Sequence, residues 1–210
     1  MKVNRVDGFG KDGVVTTNYA KRSSAGFTLI ELVIVIALIL IATGVAVLSL
    51  RMGLASSRAN SGVQATLSQL RLAREEAIGR RMEYRVTFLL PATIQTERIL
   101  QGQAPVVERS ITLPPEIQFL TAPGNPSPGP DGFGTGKAAI DFDQANGGGG
   151  TIIFFLPDGT ALDAVGDPND GVVYISHARG LAPSHAISLW GATGRFKVWQ
   201  LTTTGVPKWN

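Results

Sequence analysis

The amino-acid sequence has no cysteine in its 210 residues and only two histidines. Without cysteine the chain cannot form disulfides, thiolate zinc sites or a cysteine nucleophile, which excludes disulfide-stabilised folds and cysteine enzymes. Charged residues are also scarce, at 17%, whereas 44% of the residues are hydrophobic and the mean hydropathy is +0.15. This composition excludes an intrinsically disordered chain, because disorder goes with few apolar and many charged residues.

The distribution of charge argues against an acidic partner for most of the chain. The formal net charge is +3. The first 26 residues contain five basic and two acidic side chains, whereas residues 27–210 contain fourteen of each sign. The positive excess therefore belongs to the first 26 residues, and the remainder lacks the net basic charge typical of nucleic-acid-binding proteins.

A long apolar run follows this basic segment. Residues 27–50 contain one charged side chain, Glu31. As a helix rising 1.5 Å per residue, such a run spans about 36 Å, enough to cross the hydrocarbon core of a bilayer. The run therefore predicts a single membrane-spanning helix.

The residues ahead of the run distinguish a membrane anchor from a secretory signal. The small residues Ala25 and Gly26 precede the run, whereas a conventional signal peptide has its small-residue cleavage site after a shorter apolar stretch. The basic pair Lys21-Arg22 predicts that residues 1–26 lie in the cytoplasm and the bulk of the chain outside.

Glu31 is an anomaly inside the apolar run. A carboxylate in a membrane helix is costly and implies a function with a specific partner. No basic residue follows Glu31 until Arg51, which is too distant along a helix. A cut after Gly26 would create a positively charged amine at Phe27, about one helical turn from Glu31 within the chain. The amine of a neighbouring chain could pair with Glu31 directly.

These residues carry a family resemblance. The segment 26–31 reads GFTLIE, follows Lys21-Arg22 and opens an apolar helix. It resembles the class III signal of type IV prepilins. The resemblance implies that a prepilin peptidase cuts between Gly26 and Phe27, that Phe27 is N-methylated, and that Glu31 sets assembly and register in a filament. It also implies an inner-membrane location.

Helical periodicity continues beyond the apolar run. Apolar side chains recur at spacings of three and four from Val63 to Ala77, which predicts an amphipathic helix. No proline occurs between residues 27 and 82, so one helix of about 55 residues is expected. Its expected soft points are Gly44, Gly53 and Gly62, because glycine disfavours helix by about 1 kcal/mol relative to alanine.

The remainder of the chain has the pattern of short β-strands separated by Pro, Gly, Asn and Asp. Eight strands are predicted, at residues 84–90, 95–100, 106–112, 138–142, 151–156, 172–176, 186–190 and 195–201. The fold class expected is α+β, a long helix whose second half packs on an antiparallel sheet. The predicted divisions are a leader at 1–26, a transmembrane or filament-core helix at 27–50, an amphipathic helix at 51–82, and a β-rich head at 83–210 with a flexible loop at 121–136.

Four further segments resemble one branch of the pilin superfamily, the GspH/FimT-type pseudopilins. They are LRLAREEAIGR at 70–80, ITLP at 111–114, IFFLPDG at 153–159 and GRFKV at 194–198. The resemblance implies a type IV pilin-like fold whose helix precedes a two-sheet β head. The loop at 121–136 and the four glycines at 147–150 are insertions on this comparison.

A search for reactive groups finds no catalytic constellation, and the chain is predicted not to be an enzyme and to bind no metal or cofactor. His177 and His185 lack a third metal ligand with suitable spacing and are expected to be solvated loop residues. Asp141 and Asp143 alternate as on an exposed strand face and do not form the usual calcium-loop pattern. A signal-anchored hydrolase is therefore disfavoured.

The C-terminal region alternates basic and aromatic residues. Arg195, Lys197 and Lys208 lie close in sequence to Trp199 and Trp209, a combination found in proteins that bind single-stranded nucleic acids. These three basic residues are possible DNA contacts. The alternative is a terminal strand with Phe196, Val198 and Gln200 on one face and Lys197, Trp199 and Leu201 on the other.

Two functions follow from the resemblance. The first is a minor pseudopilin of a type II secretion pseudopilus, which takes part in protein export across the outer membrane. The alternative is a FimT-like minor type IV pilin for pilus priming or DNA uptake. The expected partners are the prepilin peptidase, other pseudopilins or pilins and the inner membrane, with the head on the periplasmic side; the net neutrality of residues 27–210 disfavours DNA as a partner.

Overall fold

A computed structural model describes residues 26–210 of the chain. The predicted leader, apart from Gly26, lies outside the described residues. One long helix, α1, runs over Leu29–Arg80 and has 52 residues, close to the predicted length. Thr28 caps it, because the Glu31 backbone N–H donates to Thr28 Oγ1 at 3.2 Å. The helix ends before Arg81, which adopts a left-handed φ of +54°.

The structure divides into two compact units, residues up to Val45 and residues 46–210. In the first unit every described residue is exposed. The helix contains an 18-residue window with a mean hydropathy of 3.0, none of it buried, so it is long and apolar enough to cross a membrane.

In the second unit one stripe of α1 enters the core. Six of its side chains are buried together with strand residues of the head: Ala59, Val63, Leu67, Leu70, Ala73 and Ala77. Their spacing of three and four residues places them on one helix face, as predicted. Gly62 lies on this face as well, where a Cβ would come within 2.8 Å of the Cγ2 atom of Ile117. Gly62 is therefore a close-packing position in an unbroken helix rather than the soft point expected from its propensity.

Eleven strands follow the helix in the described part of the chain. They are β1 Tyr84–Leu89, β2 Thr93–Arg98, β3 Val106–Thr112, β4 Ile117–Phe119, β5 Ile140–Asp141, β6 Ile152–Phe155, β7 Ala161–Leu162, β8 Gly171–His177, β9 His185–Trp190, β10 Arg195–Thr202 and β11 Lys208–Trp209. The first sheet has the order β3-β2-β1-β6-β7, and the second has the order β11-β10-β9-β8-β4 with β5 beside β8. All strand pairs are antiparallel.

The two sheets and the helix stripe share one apolar core. Phe88 contacts Phe119 and Phe142, with ring centroids 5.4 and 5.5 Å apart respectively. Phe155 of the first sheet contacts Phe196 of the second, at 6.0 Å. The predicted α+β fold is confirmed, with the β head formed from two antiparallel sheets.

The segment 121–136 is a loop, as predicted, but part of it is attached to the second sheet. It contains a short 3₁₀ turn at Pro130–Gly132, and Pro130 is buried. The Asp131 carboxylate accepts a hydrogen bond from the Ser188 hydroxyl at 2.5 Å and another from Trp199 Nε1 at 3.2 Å. This loop therefore covers part of the outer face of the second sheet, and every residue of β8 is buried.

Candidate functional site

Gly26 and Phe27, the two residues of the predicted cleavage position, are open in the described part of the chain. Phe27 is 83% exposed, and a Cβ built on Gly26 would meet no described atom within 4 Å. Both residues precede the first turn of α1, where the backbone is not hydrogen-bonded within the helix. The Gly26-Phe27 peptide bond therefore lies outside α1 in the described part of the chain.

Glu31 lies in the first turn of α1 and is exposed. Thr28 and Glu31 stand at the positions of a capping box, in which a hydroxyl caps the helix and an acidic residue follows three positions later. A carboxylate in the first turn also interacts favourably with the helix dipole. No described residue forms an ion pair with Glu31. The structure therefore assigns it a local role at the helix start and leaves its carboxylate accessible to another molecule.

Ion pairs attach the end of α1 to the first sheet. Arg109 of β3 donates two hydrogen bonds to the Glu76 carboxylate, at 3.0 and 2.5 Å. Arg80 lies 3.7 Å from the same carboxylate, four residues earlier on the helix, and 3.3 Å from Glu108. The hydrogen bond from Arg109 and the two positive charges hold the pKa of Glu76 below its ordinary value. These contacts fix the helix to the head at its C-terminal end.

Two of the three C-terminal basic residues, Arg195 and Lys197, lie on the outer face of the second sheet. Arg195 and Lys197 are exposed residues of β10, and Lys208 is exposed on β11. The predicted alternation of β10 is present, because Phe196 packs on the core whereas Lys197 and Trp199 contact the outer loop.

Contacts within the chain occupy much of this basic and aromatic surface. The Lys197 ammonium lies 3.5 Å from the centroid of the Trp199 ring and 3.6 Å from Asp131 Oδ1. The Arg195 guanidinium lies 5.7 Å from the centroid of the Trp190 ring. Stacking of nucleic-acid bases would have to displace these cations from the rings, and Asp131 offsets the charge of Lys197.

The two histidines are buried strand residues, so the prediction of solvated loop positions is wrong. His177 ends β8 and is 2% exposed, and His185 begins β9 and is 7% exposed. Their strands pair, and the chain between them forms a loop at the end of the sheet. Burial lowers the pKa of His185.

Asp141 is also buried, at 2% exposure, which contradicts the prediction of an exposed strand face. One of its oxygens accepts hydrogen bonds from the backbone N–H of Gly149 and the amide of Gln144, and the other accepts from the backbone N–H of Thr135. The glycine-rich segment and the loop at 121–136 thus converge on one carboxylate. Within the described residues, no group of three or more acidic or histidine side chains is arranged to hold a metal ion.

Two residues with clear local roles were missed by sequence reasoning. The capping role of Thr28 had a detectable signal, the spacing of threonine and glutamate in Thr28-Leu29-Ile30-Glu31. The anchoring role of Asp131 had none, because its partners Ser188 and Trp199 are more than fifty residues away along the chain.

Comparison with known proteins identifies the N-terminal segment. A family model described as the prokaryotic N-terminal methylation motif matches residues 21–47. Among solved structures, the minor pseudopilin EpsH from the type 2 secretion system of Vibrio cholerae is similar, with 14% identity, a TM-score of 0.45, and coverage of 67% of this chain and 95% of that chain. No curated protein matches the sequence. The resemblance of the N-terminal segment to prepilins is confirmed by the match at residues 21–47.

Proposed function

We propose that this chain is a minor pseudopilin, a structural subunit of a type II secretion pseudopilus. The observation that carries the proposal is the methylation motif at residues 21–47. This motif runs into a helix whose side chains are all exposed up to residue 45. In this function the apolar half of α1 anchors the subunit in the inner membrane and then packs in the core of the filament. The head contributes contacts with neighbouring subunits.

Maturation begins with removal of the leader. The prepilin peptidase cuts between Gly26 and Phe27 and the new amine of Phe27 is methylated, which leaves residues 27–210. The accessibility of Gly26 and the position of both residues ahead of α1 support this step. Intact-mass analysis of membrane-extracted protein tests it: a mature N-terminus within or after the apolar run would contradict the proposal. A bulky residue at Gly26 should block cleavage, whereas Gly26→Ala should retain part of it.

Glu31 sets the axial register between subunits. Its carboxylate is exposed at the start of α1, and no described residue neutralises it. In the membrane, an uncompensated carboxylate is unfavourable, and the Phe27 amine of an arriving subunit supplies the missing charge. Pairing requires a defined axial offset between the two helices, so it determines register as well as affinity.

Crosslinking tests this role of Glu31. The chain has no cysteine, so single cysteines introduced in the apolar half of α1 report only on the chosen positions. Glu31→Gln and Glu31→Ala should insert and mature normally but give lower crosslinking yield with other pilin-like subunits. Thr28→Ala is a useful control, because it removes the helix cap and keeps the carboxylate. Unchanged yields for both Glu31 variants at normal membrane levels would refute the assembly role.

Charge favours a secretion role over the alternative of a DNA-binding minor pilin. Residues 27–210 carry fourteen basic and fourteen acidic side chains, so the mature chain has no net attraction for DNA. Arg195 and Lys197 rest on tryptophan rings of their own chain. A gel-shift titration of the head at low salt distinguishes the two functions: binding that weakens with salt and with Arg195→Gln would favour the DNA-binding pilin.

The proposed role is structural rather than catalytic, and it requires a defined orientation in the membrane. The basic pair Lys21-Arg22 supports a cytoplasmic leader and a periplasmic head by the positive-inside rule. Protease treatment of spheroplasts tests this orientation, because a periplasmic head would be digested without lysis of the inner membrane.

A further inference from the structure

A small cavity of about 360 Å³ is lined by three arginines. Arg51 and Arg58 lie seven residues apart on α1, so they project from one helix face. Arg179 follows β8, and Glu116 precedes β4. We call this cavity the arginine pocket. All its residues belong to the compact unit formed by residues 46–210.

The charges in the arginine pocket do not balance. Glu116 accepts a hydrogen bond from Arg58 Nη1 at 3.2 Å, and its other oxygen lies 3.4 Å from Arg179 Nε. Each guanidinium thereby keeps further N–H groups for another acceptor. Arg51 has no ion-pair partner among the described residues. Three guanidinium groups around one carboxylate leave an excess of two positive charges.

A buried histidine adds a donor without a partner. The His177 side chain is 1% exposed, and its Nδ1 accepts a hydrogen bond from the Arg179 backbone N–H at 3.1 Å. In the neutral ring the proton therefore lies on Nε2, which is buried 3.6 Å from Glu116 Oε2 and has no hydrogen-bond partner. Unpaired buried donors are rare in proteins, and this one belongs to a residue that lines the arginine pocket.

We propose that the arginine pocket binds the phosphate of an anionic phospholipid headgroup. Arginine presents several N–H donors in a planar fork that matches phosphate oxygens. Glu116 serves to orient Arg58 and Arg179 at the edge of the pocket.

The position of the pocket along the chain favours a lipid over a free phosphate. Arg51 is the first charged residue after the apolar run, where a membrane helix meets the headgroups. Leu54 and Leu181 also line the pocket and are 57% and 47% exposed, which offers apolar surface to the glycerol and upper acyl chain of a bound lipid. This inference rests on the membrane anchoring in the proposed function.

Native mass spectrometry of the full-length protein in detergent tests the proposal. Phosphatidylglycerol should remain bound at higher occupancy than phosphatidylcholine, whose choline group offsets the phosphate charge. Arg51→Gln should weaken phosphatidylglycerol retention about fivefold, the effect expected of one basic residue at an anionic surface. The matched control is Arg71→Gln, because Arg71 is an exposed arginine of the same helix with no ion pair in the described structure. It should leave retention unchanged.

Three results would overturn the proposal. The first is equal retention of phosphatidylglycerol and phosphatidylcholine. The second is an equal loss of phosphatidylglycerol retention in Arg51→Gln and Arg71→Gln. The third is displacement of the lipid by millimolar inorganic phosphate, which would indicate a site for the free anion. If Arg51→Gln loses its thermal transition, Arg179→Gln decides instead, since that side chain is 74% exposed and its loss should not unfold the head. The mass of the same sample reports N-terminal processing, so failure of pseudopilin maturation is distinguished from failure of lipid binding.

Discussion

The two halves of α1 differ in how their apolar side chains are covered. Over residues 29–45 the side chains are apolar around the whole helix except at Glu31 and Thr43, and all are exposed. From Ala59 to Ala77 most apolar side chains form one stripe, and that stripe is buried against the β head. A helix that is apolar all round needs an apolar environment outside its own chain, whereas an amphipathic helix obtains one from its own fold. The difference separates a segment adapted to a membrane or filament from one that belongs to the head.

The largest effect expected from this comparison concerns the buried stripe. Leu67→Asp would bury an unpaired charge in the core and should destabilise the head by several kcal/mol, which is enough to unfold it. The fragment comprising residues 51–210 should fold as a monomer without the apolar half. Circular dichroism and thermal melting of this fragment measure both effects. Ser68→Asp, at the exposed neighbouring position, is the control and should melt like the parent. A folded Leu67→Asp fragment would contradict the packed-helix arrangement.

An intermediate effect is expected for the ion pair at the end of the stripe. Glu76→Gln leaves the half-buried Arg109 without its carboxylate and should cost about 1–3 kcal/mol. The exposed Glu75 offers a control, since Glu75→Gln should change stability little. Chemical denaturation at neutral pH compares the variants.

The pH dependence of the same pair has a definite sign. The pKa of Glu76 is lower in the folded than in the unfolded chain, so its contribution is complete above the ordinary carboxyl value of 4.5 and disappears as the pH falls through the folded pKa. The stability difference between the parent and Glu76→Gln should therefore shrink on acidification. A difference that stays constant to low pH would contradict the assigned ion pair.

A smaller effect sharpens the contrast between open and packed helix positions. Alanine normally stabilises a helix by up to about 1 kcal/mol relative to glycine. Gly79→Ala should follow this rule, because a Cβ there meets no atom within 4 Å. Gly62→Ala should instead be destabilising or neutral, because its methyl group would approach Ile117 at 2.8 Å. Equal stabilisation by both substitutions, measured by thermal melting, would show that α1 does not approach β4 this closely.

The smallest effect expected is a histidine contribution to acid sensitivity. Burial lowers the pKa of His185 in the folded head, so the unfolded chain binds its proton more readily. Stability should therefore decrease as the pH falls below 6.5, the ordinary value for histidine. His185→Gln should remove part of the difference in melting temperature between pH 7.5 and 5.5. An unchanged difference would assign that acid sensitivity to other groups.

Local sequence patterns determined the type and position of the main elements. The run at 27–50, the stripe from Val63 to Ala77 and the alternating apolar residues of the strands each have a period that a single segment displays by itself. All eight predicted strands are present, although the strand in the predicted segment 138–142 is only Ile140–Asp141. The prepilin-like signal was equally local, since it occupies consecutive residues that a family model also matches.

Tertiary structure alone decided which polar residues are buried and which charges meet. Strands β4, β7 and β11 have only two or three residues, too few to show a period, and exist through pairing with distant strands. Asp141 is buried because two loops donate hydrogen bonds to it, and His177 is buried beside Glu116, 61 positions earlier in the chain. Arg51 and Arg179, far apart in sequence, likewise line one cavity only in the folded chain. Such contacts depend on side chains far apart in sequence, and no local pattern encodes the distance between them.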